Sequence, residues 1–215
     1  MQHEPVIIRE YDPADLEAVY RVCLLTADNG GDGTALFRDP DLPGNVYAGP
    51  YAVFEPSLAF VAEDSEGVGG YIVAAFDSLA FRHRLEQEWW PELRLRYPEP
   101  PPDVAGRLSL QERQAIGNIH RHFGAPDAIT RRFPAHLHIN LVPRLQGQGA
   151  GRRLVAALTA RLREQGSPGL HLLVAPGNER AIGFYRHLGF TEEPVPDLRV
   201  FTMRFGGPAA AETDN

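Results

Sequence analysis

Between Val142 and Arg153 the chain reads Val-Pro-Arg-Leu-Gln-Gly-Gln-Gly-Ala-Gly-Arg-Arg, and no other stretch narrows the possible folds as much. Ahead of it, Leu137 to Val142 has strand character and stops at Pro143. Behind it, Leu154, Leu158 and Leu162 recur at four-residue spacing, the apolar stripe of a helix. A strand that turns on glycines into a helix is a ready anion site. Gly147, Gly149 and Gly151 lack the Cβ atoms that would hold an anion away from backbone N–H groups, and the first four N–H groups of a helix have no intrahelical partner. Arg152 and Arg153 in the first turn oppose the helix dipole unless a negative ligand binds there, so phosphate is the expected ligand. The competing reading is a glycine-rich connection with no ligand. A dinucleotide fingerprint fails on register, since the sixth position from Gly147 is Arg152, and the Gly-Lys-Ser/Thr of a P-loop is absent.

The unit strand, turn, helix repeats: Leu170 to Val174 reads as a buried strand, and Glu179 to Leu188 as a helix closed by Gly189. Upstream, Val6 to Arg9 reads as a strand. Asp12 caps a helix with Pro13 at its first position and Leu16, Val19, Tyr20 and Cys23 on one face. Thr26 to Pro50, crowded with Gly, Asp, Asn and Pro, reads as a long surface loop. Leu58 to Glu63 and Val68 to Phe76 form a hairpin around Asp64-Ser65-Glu66-Gly67, and Leu198 to Phe205 is a last strand. Residues 77–135, rich in Arg, Glu, Trp and Leu, read as a helical insertion. Within it Ser109 and Glu112 have capping-box spacing, and Ile116, Ile119 and Phe123 share a face. The expected architecture is α/β, one domain over 1–205 followed by a poorly ordered tail at 206–215.

A chain of 215 residues, 43% of them hydrophobic, buries about 70% of its unfolded surface, enough for one sizeable core. With 21 basic against 28 acidic residues it lacks the basic footprint of a nucleic-acid binder. The longest near-apolar run, Val68 to Phe76, is far below bilayer length, and the first eight residues lack signal-peptide character, so a cytoplasmic, membrane-free protein is expected. The single cysteine, Cys23, reads as a packed core thiol. His120-x-His122 and His136-x-His138 lack accompanying cysteines and helical ligand spacing, and no metal is expected. Of Trp89 and Trp90, one is expected in the core.

Gln146-x-x-Gly149-x-Gly151 directly after a strand resembles the pyrophosphate loop of the GCN5-related N-acetyltransferase (GNAT) family. Asn178-Glu179-Arg180-Ala181-Ile182-Gly183-Phe184-Tyr185-Arg186-His187-Leu188-Gly189-Phe190 resembles that family's second element, N-x-x-A-x-x-F-Y-x-x-x-G-F. Gly70 to Asp77, Trp89-Trp90-Pro91, Arg96-Tyr97-Pro98 and Phe133-Pro134 further resemble the acetyltransferase-like C-terminal domain of eukaryotic O-GlcNAcase and its bacterial single-domain homologues. In the eukaryotic domain the phosphate loop is degraded and the domain is regarded as a pseudo-enzyme; here the glycines are intact.

The resemblance implies a GNAT fold: a central mixed sheet, flanked by helices, that splays open at an acetyl-CoA cleft, with the helical insertion before the central strand. The implied cofactor is acetyl-CoA. Its pantetheine arm would lie along Asn140 to Val142, Leu141 included. Its phosphates would meet the N–H groups of Gln146, Gly147, Gln148, Gly149, Ala150 and Gly151, with charge from Arg144, Arg152 and Arg153. Asn178 would reach the cofactor from the second element, and Phe184 and Tyr185 would flank the thioester. The implied reaction is direct attack of a primary amine, of a small molecule or a protein, in a ternary complex. The alternative is an inactive CoA-binding or regulatory module.

Tyr185 is the candidate acid toward the leaving thiolate, with core packing as the competing role. From ordinary values of about 10 for tyrosine and 8.5 for a thiol, full proton transfer is uphill by about 2 kcal/mol, so a hydrogen bond suffices. Candidates for the base are Asp77, which could equally cap a helix, His138, which could equally be a packed histidine, and Glu63. Strand alternation sets His136, His138 and Asn140 on one face and Leu137, Ile139 and Leu141 on the other. The oligomeric state is left open between monomer and homodimer.

Overall fold

The computed structural model describes residues 5–121 and 124–206. The chain opens with β1 (Ile7–Glu10), a short turn of helix at Pro13–Asp15 and α1 (Leu16–Leu24). The expected cap is present and doubled: Asp12 accepts from Ala14 N at 2.9 Å, and Asp15 accepts from Asp12 N at 2.9 Å. Val19 and Cys23 are buried as their spacing requires, and burial pushes the Cys23 thiol up to about 12, which leaves it protonated and inert.

The expected surface loop at Thr26 to Pro50 is corrected. Its second half is α2 (Leu42–Tyr47) and the start of α3 (Gly49–Phe54), and Leu42 to Val46 are all buried. The residues that signalled a turn have other tasks. Pro43 and Pro50 each sit in the first turn of a helix, where a missing N–H costs nothing. Gly44 and Gly49 carry no Cβ because the Tyr20 side chain occupies that space.

Next come β2 (Ala59–Asp64) and β3 (Gly67–Ala75), the expected hairpin. The insertion contains α4 (Ser78–Arg84), a wide π-type turn at Leu85–Trp89, α5 (Trp90–Arg96), α6 (Pro102–Ala105), α7 (Leu110–His120) and α8 (Asp127–Arg132). Ser109 accepts from Glu112 N at 2.9 Å, and Ile116 and Ile119 are buried; Phe123 and His122 lie outside the described residues, as does the tail beyond Gly206. Trp90 enters the core, while Trp89 is half-buried and donates from Nε1 to Asn45 O at 2.9 Å.

The remaining elements are β4 (Ala135–Leu141), α9 (Ala150–Glu164), β5 (Gly169–Val174), α10 (Glu179–His187), β6 (Thr191–Val195) and β7 (Leu198–Arg204). β6 was not legible, since its Thr-Glu-Glu-Pro-Val is polar and holds a proline, as an edge strand can. It pairs with β7 through a turn in which Asp197 takes a positive φ of 61°.

The strands form one mixed sheet in the order β1-β2-β3-β4-β5-β7-β6. Of its neighbours only β4 and β5 run parallel, and among the described residues they pair at just two positions, Ala135 with Leu170 and His136 with His171. Beyond His136 they diverge, while β4 stays paired with β3 as far as Leu141. The sheet therefore splays between Leu137 and Leu141, where the resemblance placed the cleft. Leu154, Leu158 and Leu162 are fully buried along α9, which packs on β1 to β4; each contributes about 1.5–3 kcal/mol relative to exposure. No helix among the described residues is long and apolar enough to cross a membrane.

Candidate active site

At the mouth of the splay the chain leaves β4, makes a short turn at Pro143–Leu145 and enters α9 through the glycines. Gly147 and Gly149 both have φ of 74°, and a Cβ on either would meet nothing within 4 Å, so the loop needs glycine for its backbone and leaves open space above it. Gly151 answers a different demand: a Cβ there would stand 3.2 Å from Phe184 Cζ. The first N–H of α9 to find a main-chain acceptor is Arg153 N, on Gly149 O at 3.1 Å. Among the described residues no main-chain group accepts from the N–H of Gly147, Gln148, Gly149, Ala150, Gly151 or Arg152. Six donors on one exposed turn at a helix start suit a pyrophosphate.

Gln146 holds this loop to its surroundings. Its Nε2 donates to Leu141 O at 2.7 Å, at the end of β4, and its Oε1 accepts from Arg180 Nη1 at 2.5 Å, on α10. Val142 N donates to Gly69 O at 2.9 Å. The three arginines separate. Arg152 is exposed and makes no ion pair among the described residues. Arg153 donates to Val6 O at 2.7 Å. Arg144, expected to supply charge to the phosphates, turns to the β2–β3 hairpin, where Asp64 at 3.1 Å and Gly67 O at 3.0 Å take its donors and its guanidinium occupies the space that a Cβ on Gly69 would need.

On α10, Asn178 caps the helix by accepting from Ala181 N at 3.0 Å. Phe184 is half-buried against Gly151, and Tyr185 is buried between Phe184, Phe190 and Phe201, with ring centroids at 5.2, 5.3 and 6.0 Å. Burial raises the Tyr185 pKa, and among the described residues its hydroxyl has no hydrogen-bond partner. A hydroxyl that stays protonated and uncommitted can donate to an anion.

The candidate bases also separate. Asp77 caps α4, accepting from Leu79 N at 2.9 Å and Ala80 N at 3.0 Å, and is exposed. Glu63 is tied to Arg9 at 2.7 Å on β2, with all of β3 between it and the splay. His138 alone of the three lines a cavity, of about 490 Å³, that extends from the split between β4 and β5 to the insertion helices. Tyr47, Tyr51, Phe81, Leu85 and Trp90 wall it, with Ser78, Gln114, Asn118 and His136 among its polar groups. Burial pushes His138 down to about 4. Tyr51 bonds both histidines, at 2.9 Å to His136 Nε2 and 3.2 Å to His138 Nε2. His136 Nδ1 meets Ser78 Oγ at 2.6 Å. Asn140, the third residue of that face, bonds Thr26 Oγ1 at the end of α1. Tyr51, Tyr47, Ser78 and Asn118 escaped sequence reasoning because each comes from a different helix: Tyr47 from the stretch read as loop, Ser78 and Asn118 from the insertion, and Tyr51 from the short segment between that loop and β2, to which no element was assigned. The one available signal was the pair of tyrosines, Tyr47 and Tyr51, at helical i, i+4 spacing.

A divided sheet with a donor-rich loop at the split defines the class of acyl-transferring folds. The chain matches the acetyltransferase (GNAT) family over residues 82–190 and belongs to it. It is 34% identical to SsHAT, with a TM-score of 0.81 over 93% of this chain and 98% of that one. Protein O-GlcNAcase of Rattus norvegicus is 27% identical over 185 residues, 86% of this chain, and the chain spans about a fifth of that protein's length, 20%. The likeness to yncA of Salmonella typhimurium, solved with its cofactor acetyl-CoA, is one of fold: 17% identity and a TM-score of 0.55 over 97% of this chain and 99% of that one. The family is one of acetyltransferases, and acetyl-CoA is the cofactor of yncA.

Proposed function

We propose that this protein transfers an acetyl group from acetyl-CoA to a primary amine by direct attack in a ternary complex. The observation that carries this reading is the run of six unpaired N–H groups from Gly147 to Arg152, set at the mouth of the β4–β5 split. These donors, with the uncommitted Arg152, would hold the pyrophosphate, and the diverging main chain of Leu141 and Val142 would line the pantetheine arm. Bound acetyl-CoA supplies an activated acyl group as a thioester. Tyr185 keeps its proton, and its hydroxyl donates a hydrogen bond to the departing thiolate rather than the whole proton, since burial of the side chain moves its pKa further from that of a thiol. Phe184 fixes the helix start against α10, and the cavity on the His138 side receives the amine and keeps water from it.

Calorimetric titration with acetyl-CoA tests this directly. Micromolar binding to the wild type, lost in the Gly149→Asp, Gly151→Asp variant, is the expected result; a well-folded wild type that binds nothing at millimolar acetyl-CoA overturns the reading and leaves a pseudo-acetyltransferase.

A further inference from the structure

With both histidines neutral, the hydrogen-bond chain under the cavity has one consistent arrangement of protons. Ser78 Oγ lies 2.6 Å from Pro134 O. Two oxygens that close need a proton between them, and only the serine has one. Ser78 Oγ is then an acceptor toward His136, whose Nδ1 at 2.6 Å must carry N–H. A neutral His136 has its lone pair on Nε2, which takes the Tyr51 proton at 2.9 Å. Tyr51 oxygen, its proton spent, accepts from His138 Nε2–H at 3.2 Å. The free lone pair of His138 is therefore on Nδ1.

Among the described residues the surroundings of this lone pair are uncharged. The titratable groups facing His138 are the hydroxyls of Tyr51 on α3 and Tyr47 on α2, both raised by burial, and the His136 ring beside it on β4. Asn118 of α7 donates to Tyr47 Oη at 3.0 Å and brings no charge. The charged residues of the cavity wall are committed or exposed: Glu86 pairs with Arg94 at 2.8 Å, Arg82 with Asp127 at 3.9 Å, Arg199 with Glu192 at 2.6 Å, and Asp197 is exposed. Among the described residues no buried carboxylate waits for an ammonium ion, and aromatic rings form the walls.

We propose that His138 is the base of the reaction, its Nδ1 lone pair held in place by Tyr51, His136 and Ser78 as positioning residues, and that the acceptor is an uncharged, weakly basic aromatic amine. This rests on the acetyltransferase reading above. The transfer forms the amide C–N bond and breaks C–S. The one amine proton that is lost passes to His138 Nδ1 and from there to solvent, and the sulfur leaves as a thiolate, hydrogen-bonded by Tyr185, that takes up a proton from solvent on release, so no redox partner is needed. A lysine-like amine, with a pKa of about 10.4, is about one-thousandth neutral at pH 7.4 and would have to shed its proton before entering; an aromatic amine enters ready.

The test pairs aniline with cyclohexylamine, equal in ring size and unlike in basicity, in a thiol-release assay at pH 7.4 on protein whose acetyl-CoA affinity is measured in parallel. Aniline is expected to give a kcat/KM at least about tenfold higher; a preference for cyclohexylamine overturns the proposal while leaving the acetyltransferase reading intact. His138→Gln is expected to lower kcat by about 100-fold, with acetyl-CoA Kd unchanged. Retained turnover in that variant overturns the role of His138. Ser78→Ala, which reaches His138 only through two other side chains, is expected to lower kcat severalfold at constant KM. Independently of any variant, long-range ¹H–¹⁵N spectra of the wild type are expected to show His136 protonated on Nδ1 and His138 on Nε2; the opposite tautomer of His138 overturns the proposal. Failure to bind acetyl-CoA at all overturns both readings together.

Discussion

The two ends of the β4–β5 split are built on opposite principles. At the loop end, main-chain donors stand unpaired, in open space, over glycines with positive φ. At the cavity end every polar group of Ser78, His136, Tyr51 and His138 named above is spent on a neighbour but one, the Nδ1 of His138. An open array of donors suits an anion that arrives with its own charge and needs only geometry. A closed circuit suits proton transfer, where one lone pair must point one way and a second tautomer would be inert.

The comparison breaks most sharply at the loop. Placing carboxylates at Gly149 and Gly151 sets two negative charges and a strained backbone where six donors stand, so acetyl-CoA affinity should fall by more than about 100-fold in calorimetry, while the strain lowers the melting temperature of the free protein by only a few degrees and leaves it folded. The closed circuit should show itself in acid. His138, pushed down to about 4 by burial, and His171, also lowered by burial, are held neutral in the fold. Below the ordinary histidine value the unfolded chain binds more protons than the folded one. Stability is then full above about pH 6.5 and is lost toward pH 4, His138 alone accounting for about 3 kcal/mol. Thermal melts from pH 7 to pH 4.5 should show a smaller loss in His138→Gln than in the wild type.

A smaller effect sits between the two ends. Tyr185→Phe should lower kcat about tenfold and leave KM within about twofold, read by thiol release; an equal change in both would make Tyr185 packing alone. The smallest effect separates the arginines. Arg144→Ala should cost about 1 kcal/mol in a melt, through the lost bond to Asp64, with no change in acetyl-CoA affinity. Arg152→Ala should do the reverse, weakening acetyl-CoA about threefold at constant stability.

What could be read without coordinates was local in the chain. Gln146 to Gly151 and Asn178 to Phe190 each carry their geometry in consecutive residues, and strand–turn–helix follows from periodicity over a dozen positions. The cavity has no such signature. Tyr51 and His138 are 87 residues apart, and Ser78 and His136 are 58 apart, so no local pattern brings them together. The region that supplies Tyr47 and leads to Tyr51 was misread because Gly44 and Gly49 look like turn residues, when they are clearance for the Tyr20 ring. The tertiary neighbour decides which meaning a glycine has. Arg144 teaches the same lesson with charge: its proximity to the loop in sequence suggested phosphate, and Asp64, 80 residues away, claimed it.

The two pairs that join β4 to β5, Ala135 with Leu170 and His136 with His171, make the sheet two plates on a short seam. One plate holds β1 to β4 with α9 strapped across its back; the other holds β5 to β7. His136 sits in the seam and also in the hydrogen-bond circuit, so any rocking of the plates passes through the residue that sets the protonation pattern of the cavity. A molecule wedged along the free edges beyond the seam becomes a second brace, and the alignment of the cavity side chains is then coupled mechanically to the filling of the gap.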